Sequence, residues 1–100
     1  MIQRVIFRPA AVEDVVEAAA WYEAHAPGLG EELIDEILRA TARAQDNPEL
    51  FRVVRRNGEI RRVLTERFPY KIFFCVAGET LYVHAVLHGA RHDRRWRERP

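Results

Sequence analysis

The sequence has very little cysteine, methionine or lysine: each occurs once in 100 residues. Because Cys75 is the only thiol, an internal disulfide and a cysteine–zinc scaffold are both excluded. The first residues lack the apolar stretch of a secretory signal, and no later run approaches the ~20 apolar residues that span a bilayer. We therefore expect a cytoplasmic protein that makes no contact with a membrane.

Glycine and proline are also scarce, with five of each, which excludes collagen-like and low-complexity chains. The chain does have 48% hydrophobic and 31% charged residues, so it can bury a core of modest size. Its length is that of one domain. We expect residues 1–100 to form a single globular domain.

The two halves of the chain carry opposite charge, although the formal net charge is only +1. Residues 1–50 contain four arginines and ten carboxylates, whereas residues 51–100 contain twelve basic residues and five carboxylates. All basic residues except Lys71 are arginines, and the planar guanidinium binds phosphates and carboxylates well. The preference for arginine over lysine indicates either that this half of the chain binds anions or that the genome has a high G+C content.

The first half of the chain predicts one strand and two helices. Residues 3–8 are rich in β-branched residues and favour a short strand that ends at Pro9. In residues 10–24 apolar side chains recur at helical spacing, among them Val12, Val15, Val16, Ala19 and Tyr22. We expect this amphipathic helix to bury that stripe, with Trp21 and Tyr22 in core and hairpin packing.

A second helix follows a short connection. Turn-forming residues interrupt the pattern in segment 25–30, and a new apolar stripe starts at Leu33. This helix ends before Asn47 and Pro48, because the residue preceding proline disfavours helical dihedral angles. The short connection predicts an antiparallel helix hairpin.

The second half of the chain is rich in β-forming residues. Segments separated by turn residues predict strands at 51–54, 60–64, 67–76 and 81–88. Short turns make neighbouring strands antiparallel. We therefore expect an α+β fold in which the helix hairpin packs on one face of a mainly antiparallel, twisted sheet, with a short basic C-terminal tail anchored by Trp96.

Three histidines recur at intervals of four residues, at His84, His88 and His92. In a strand, His84 and His88 lie ~13 Å apart, which is too far for both to bind one ion. We therefore predict no metal site and no cofactor. His88 precedes Arg91 by three residues, so this pair could serve proton transfer at a phosphodiester; the alternative is a half-exposed histidine bonded to a backbone carbonyl.

Adjacent arginines in a predicted strand, Arg61 and Arg62, must point to opposite faces of the sheet. One should lie at the helix layer or its rim and the other on the uncovered face. The other basic residues of this half that could join a cationic sheet face are Arg52, Arg55, Arg56, Arg67 and Lys71. Such a face suits nucleic acid or an acidic partner; the alternative is an ordinary solvated surface.

Taken together, these residues resemble the RelE/ParE superfamily of bacterial type II toxins, and most closely its ParE-like branch. The resemblance rests on these sequence motifs: Phe7-Arg8-Pro9-Ala10, Trp21-Tyr22-Glu23, Pro27-Gly28-Leu29-Gly30, Asn47-Pro48, Ile60-Arg61-Arg62, Arg67-Phe68-Pro69-Tyr70 and Val86-Leu87-His88, with Arg91 and Trp96. The resemblance covers nearly the whole chain and implies the order β-α-α-β-β-β.

The resemblance also implies partners. A cognate antitoxin neutralises such a toxin, and the pair binds operator DNA through the antitoxin complex. ParE-like members poison DNA gyrase and stabilise plasmids, whereas RelE-like members cleave mRNA on the ribosome. Gyrase poisoning is the function we expect, and ribosome-dependent mRNA cleavage is the alternative.

The two candidate functions require different sets of residues. Gyrase poisoning needs a target-binding surface, for which we predict Arg61, Arg62, Arg67, Arg91, Arg94, Arg95 and Trp96. Cleavage would need catalytic residues, for which the candidates are His88, Arg61 and Arg91. RelE-like toxins use arginine and lysine with a C-terminal tyrosine or histidine; no tyrosine follows Tyr82 here, so His88 or His92 would have to replace it.

Overall fold

The computed structural model describes residues 1–89. Its elements are β1 (Arg4–Phe7), α1 (Pro9–His25), α2 (Leu29–Asp46), a short 3-10 helix (Pro48–Leu50), β2 (Arg52–Arg55), β3 (Ile60–Leu64), β4 (Tyr70–Ala77) and β5 (Thr80–His88). Within these residues the strands form one sheet in the order β1-β5-β4-β3-β2. β1 is parallel to β5, and the other neighbours are antiparallel.

The predicted α+β class, with a helix hairpin between an N-terminal strand and a mainly antiparallel sheet, is confirmed. The sheet has four strands after the hairpin rather than the three of the family order, because Arg52–Arg55 pairs with β3 as an edge strand. Neither helix of the described part has the length and apolarity to span a membrane.

The hairpin turn is shorter than the sequence predicted, since α2 already begins at Leu29. Gly28 precedes it with φ of 88°, a left-handed conformation that glycine adopts without strain. The Glu23 carboxylate accepts hydrogen bonds from the N–H groups of Gly28 (2.8 Å) and Gly30 (3.0 Å). An α1 side chain therefore satisfies backbone donors that the start of α2 would otherwise leave unpaired.

The core lies between the helix hairpin and the sheet. Its fully buried large side chains are Leu33, Ile37, Val63, Ile72, Phe74, Leu81 and Val83. A second, smaller cluster lies on the opposite face of the sheet and comprises Ile60, Phe73, Ala85 and Leu87. The sheet is thus apolar on both faces.

Only part of the predicted apolar stripe of α1 faces the core: Val15 and Tyr22 are partly buried and pack against it. α1 buries Ala11 and Ala18, whose small side chains let the helix approach the sheet closely. Val12 is 46% exposed and Val16 62% exposed, so the prediction that these two valines belong to the core is wrong.

Tyr22 and Trp21 have different environments. The Tyr22 ring packs edge to face against Phe68 at 5.0 Å and Tyr70 at 6.3 Å, which confirms its predicted packing role. Trp21 is 57% exposed and stacks on His25. The prediction of core packing is therefore wrong for Trp21.

A buried carboxylate fixes the loop between β3 and β4. Glu36 is only 6% exposed, and its Oε2 accepts hydrogen bonds from the N–H groups of Arg67 (2.8 Å) and Phe68 (2.9 Å). Thr65 donates its hydroxyl to the Phe68 carbonyl in the same loop. α2 thereby holds the loop that carries Phe68 into the core.

Candidate binding surfaces

The outer face of the sheet, which points away from α1 and α2, carries cations around an apolar centre. Strand register places Arg62 opposite Phe73 and Lys71 opposite Leu87. Arg52 lies opposite Arg62 on the neighbouring strand. Like charges directly opposite each other destabilise a sheet, so an anionic partner on this face would relieve their repulsion.

A cysteine and a histidine meet on the same face at a β-bulge. The register shifts between Phe73 and Phe74, and the Sγ atom of Cys75 lies 3.0 Å from Nε2 of His84. Burial raises the pKa of the Cys75 thiol, although Arg8 and Arg55 oppose the shift. Burial lowers the pKa of His84, and the same two arginines lower it further. Both shifts favour the uncharged thiol and imidazole over a thiolate–imidazolium pair.

Arg61 and Arg62 point to opposite sides of the sheet, as predicted. Arg61 lies opposite Phe74 of the main core, and its Nη1 donates to the Phe51 carbonyl at 2.8 Å. Arg61 therefore braces the start of β2 at the rim of the helix layer, whereas Arg62 belongs to the outer face.

Arg67 lies in the loop between β3 and β4, where it faces α2. Its Nη1 is 2.6 Å from Oε1 of Glu32, and this charged hydrogen bond raises the pKa of Arg67. The loop backbone is held by Glu36 as well. Of the described arginines predicted to bind the target, the structure therefore places only Arg62 on the cationic outer face.

His88 lies on the helix side of the sheet, with its ring edge to face against Tyr70 at 5.5 Å. It pairs with Tyr70, whereas Arg61 pairs with Phe74. Tyr70 and Phe74 are four residues apart on β4, so the two pairs are separated by ~13 Å along the strand. The structure thus does not bring His88 and Arg61 together. No group of three potential metal ligands occurs in residues 1–89.

The predicted C-terminal site residues Arg91, Arg94, Arg95 and Trp96 lie outside the described residues. So do the predicted basic tail and His92. Their assignment stays a prediction from the sequence.

An apolar groove runs between α1 and α2, with a volume of about 280 Å³. Its main exposed side chains are Val12, Val16 and Leu38, of which Leu38 is 51% exposed. Phe7 and Ile34 extend the same surface. The groove was not predicted from the sequence, because Val12 and Val16 were expected in the core. Exposed, contiguous apolar surface of this kind is typical of a protein-binding site.

The architecture described above, a helix hairpin on a mixed five-stranded sheet, also occurs in a solved structure. A chain titled as part of the chromosomal ParDE toxin–antitoxin system from P. aeruginosa superposes with a TM-score of 0.75 and 18% sequence identity. The match covers 88% of this chain and 96% of that chain. At this identity the likeness establishes a common fold.

The sequence itself identifies the family. The model of the ParE toxin family, described as the toxin of the type II toxin–antitoxin system parDE, matches residues 5–93. The chain therefore belongs to the ParE toxin family, and the expected ParE-like branch of the superfamily is confirmed. A search of curated proteins gave no significant match.

Proposed function

We propose that this toxin inhibits growth by poisoning DNA gyrase and that a cognate antitoxin neutralises it. Membership of the ParE toxin family over residues 5–93 is the observation that carries the proposal. A gyrase poison needs a binding surface rather than reacting groups. The outer face supplies cations around an apolar centre, and burial favours the uncharged forms of its Cys75–His84 pair.

Messenger RNA cleavage receives less support from the geometry. It would need a proton-transferring group beside cations that stabilise the phosphorane. His88 contacts Tyr70 on the helix side, while Arg61 is bonded to the Phe51 carbonyl. The proposal therefore treats His88 as a residue of the helix side and keeps Arg91, Arg94, Arg95 and Trp96 as target-binding residues on sequence grounds.

A supercoiling assay with purified gyrase tests the proposal. We expect the purified chain to inhibit ATP-dependent supercoiling and to accumulate DNA breaks covalently linked to gyrase. The same preparation should leave ribosome-bound mRNA intact. Unimpaired supercoiling together with cutting of ribosome-bound mRNA would establish the ribonuclease instead.

Arg62 is the described residue best placed to contact the target. We expect Arg62→Ala to weaken gyrase inhibition roughly tenfold or more, since a charge-assisted contact contributes about 1.5–3 kcal/mol. Arg39→Ala is the matched control, because Arg39 is an exposed arginine of α2 on the other side of the molecule. Equal inhibition by both variants, with unchanged circular dichroism, would remove the outer face from the target-binding site.

The apolar groove between α1 and α2 is the surface we assign to the antitoxin. A helical segment with apolar residues on one face would cover Val12, Val16 and Leu38, which the toxin leaves exposed. Such a contact buries apolar area without engaging the outer face. The antitoxin and target surfaces then lie on opposite sides of the sheet.

A further inference from the structure

A second cleft lies on the other side of α1 from the apolar groove, at the end of the sheet where β5 finishes. Its volume is about 300 Å³. The side chains that define it are Asp14, Glu17, Trp21, Tyr22, Tyr70 and His88. It therefore combines two carboxylates with three aromatic rings, and neither proposed surface includes it.

One carboxylate of the cleft is fixed by the sheet. Pairing between β1 and β5 ends at Phe7 and Val83, so the N–H of Val86 lies beyond the end of β1. Oδ2 of Asp14 accepts this N–H at 2.9 Å. Asp14 thus caps the edge of β5 and is held at the cleft. Glu17 follows on the next turn of α1 and is exposed.

The aromatic rings form walls around these carboxylates. Trp21 lies edge to face with Tyr22 at 5.0 Å, and Tyr22 lies 6.3 Å from Tyr70. The faces of aromatic rings attract cations, and carboxylates bind them directly. A guanidinium fits this combination better than an ammonium, because it is planar, stacks on rings and donates two parallel hydrogen bonds to a carboxylate.

We propose that this cleft binds an arginine side chain of the antitoxin, an inference that rests on the proposed function. Residues 1–50, which include both helices, carry ten carboxylates against four arginines, so a segment covering the helix side meets an acidic surface. α1 separates the groove from the cleft, and a helix with its side chains is about 10–12 Å wide. A single antitoxin segment that crosses α1 can therefore occupy both.

The probe for the cleft is Nα-acetyl-L-arginine methylamide, with the lysine and glutamine analogues as comparisons. Trp96→Phe leaves Trp21 as the only tryptophan, so the indole N–H resonance of Trp21 reports binding in an NMR titration. We expect the arginine analogue to shift this resonance with saturation and the lysine analogue to bind more weakly. The glutamine analogue should not bind.

Two variants distinguish binding in the cleft from general electrostatic attraction to the acidic surface. Glu17→Gln should weaken binding of the arginine analogue roughly tenfold, the usual effect of losing a charge-assisted hydrogen bond. Glu13→Gln removes an exposed α1 carboxylate that does not line the cleft and should have no effect. Equal affinities of the two variants would overturn the proposal. It would also fall if the analogue bound only after Arg91, Arg94 and Arg95 were replaced by glutamine, because the chain's own basic tail would then be the occupant.

The affinity of the antitoxin for the two variants tests the arginine site separately from the proposed function. Glu17→Gln should weaken the complex roughly tenfold relative to Glu13→Gln and reduce its salt dependence. An antitoxin that neutralises both variants with equal affinity would overturn the arginine site and leave the proposed function standing. If no antitoxin relieved the growth inhibition of the unaltered chain, both would fall.

Discussion

The Leu38→Asp variant is expected to stay toxic in cells that produce enough antitoxin to protect them from the unaltered chain. Leu38 is 51% exposed in the groove between α1 and α2. Burying a leucine beneath a partner helix contributes about 1.5–3 kcal/mol, and an aspartate there adds the cost of a buried charge. We therefore expect the dissociation constant of the complex to rise roughly a hundredfold or more.

The control for this prediction is Leu50→Asp. Leu50 is also an exposed leucine, at 76%, but it lies on the short 3-10 helix outside the groove. This variant should bind the antitoxin normally and be neutralised by it. Growth rescue by antitoxin expression, together with affinities from calorimetry, measures the difference. If Leu38→Asp were neutralised as well as Leu50→Asp, the antitoxin would have to bind elsewhere.

Glu36→Ala is expected to lower the free energy of unfolding by about 3 kcal/mol. The substitution leaves the N–H groups of Arg67 and Phe68 without their acceptor, and each unsatisfied buried group costs about 1–3 kcal/mol. The loss also loosens Phe68, whose ring packs against Tyr22. For a domain whose total stability is about 5–15 kcal/mol, this is a large change.

Asp35→Ala is the matched control for Glu36→Ala. It removes a carboxylate from the neighbouring, exposed position of α2 and should change stability by no more than about 0.5 kcal/mol. Urea denaturation followed by far-UV circular dichroism compares the two variants. Equal midpoints at equal slopes would show that the loop does not depend on the buried carboxylate.

Periodicity predicted the elements of the fold because each element repeats a local pattern. The α1 prediction at 10–24 differs from the observed Pro9–His25 by one residue at each end, and the end of α2 before Asn47 and Pro48 follows from proline geometry. The parallel pairing of β1 with β5 joins distant segments. No local pattern specifies that pairing.

The site was harder to predict than the fold. Val12 and Val16 are apolar at helical spacing whether they face a core or a partner, so spacing alone could not separate the two roles. The signal available was the pair Ala11 and Ala18, small residues on one face of α1 that are suited to close packing on the sheet. Together with Val15 and Tyr22, which pack against the core, they mark the face of α1 that is buried.

The structural role of an acidic residue on an amphipathic helix was equally hard to predict. Asp14, Glu23 and Glu36 all occupy helices with many acidic residues, yet each accepts backbone N–H groups from another element. Such roles depend on tertiary contacts between segments up to 72 residues apart. No local pattern in the sequence therefore predicts them.

Incorporation of labelled thymidine and labelled methionine, measured in the first minutes after the chain is induced without its antitoxin, tests the central claim most directly. A gyrase poison blocks DNA synthesis before protein synthesis, so thymidine incorporation should fall first while methionine incorporation continues. An early fall in methionine incorporation, with DNA synthesis still running, would contradict gyrase poisoning and restore the ribonuclease with its candidate residues His88, Arg61 and Arg91.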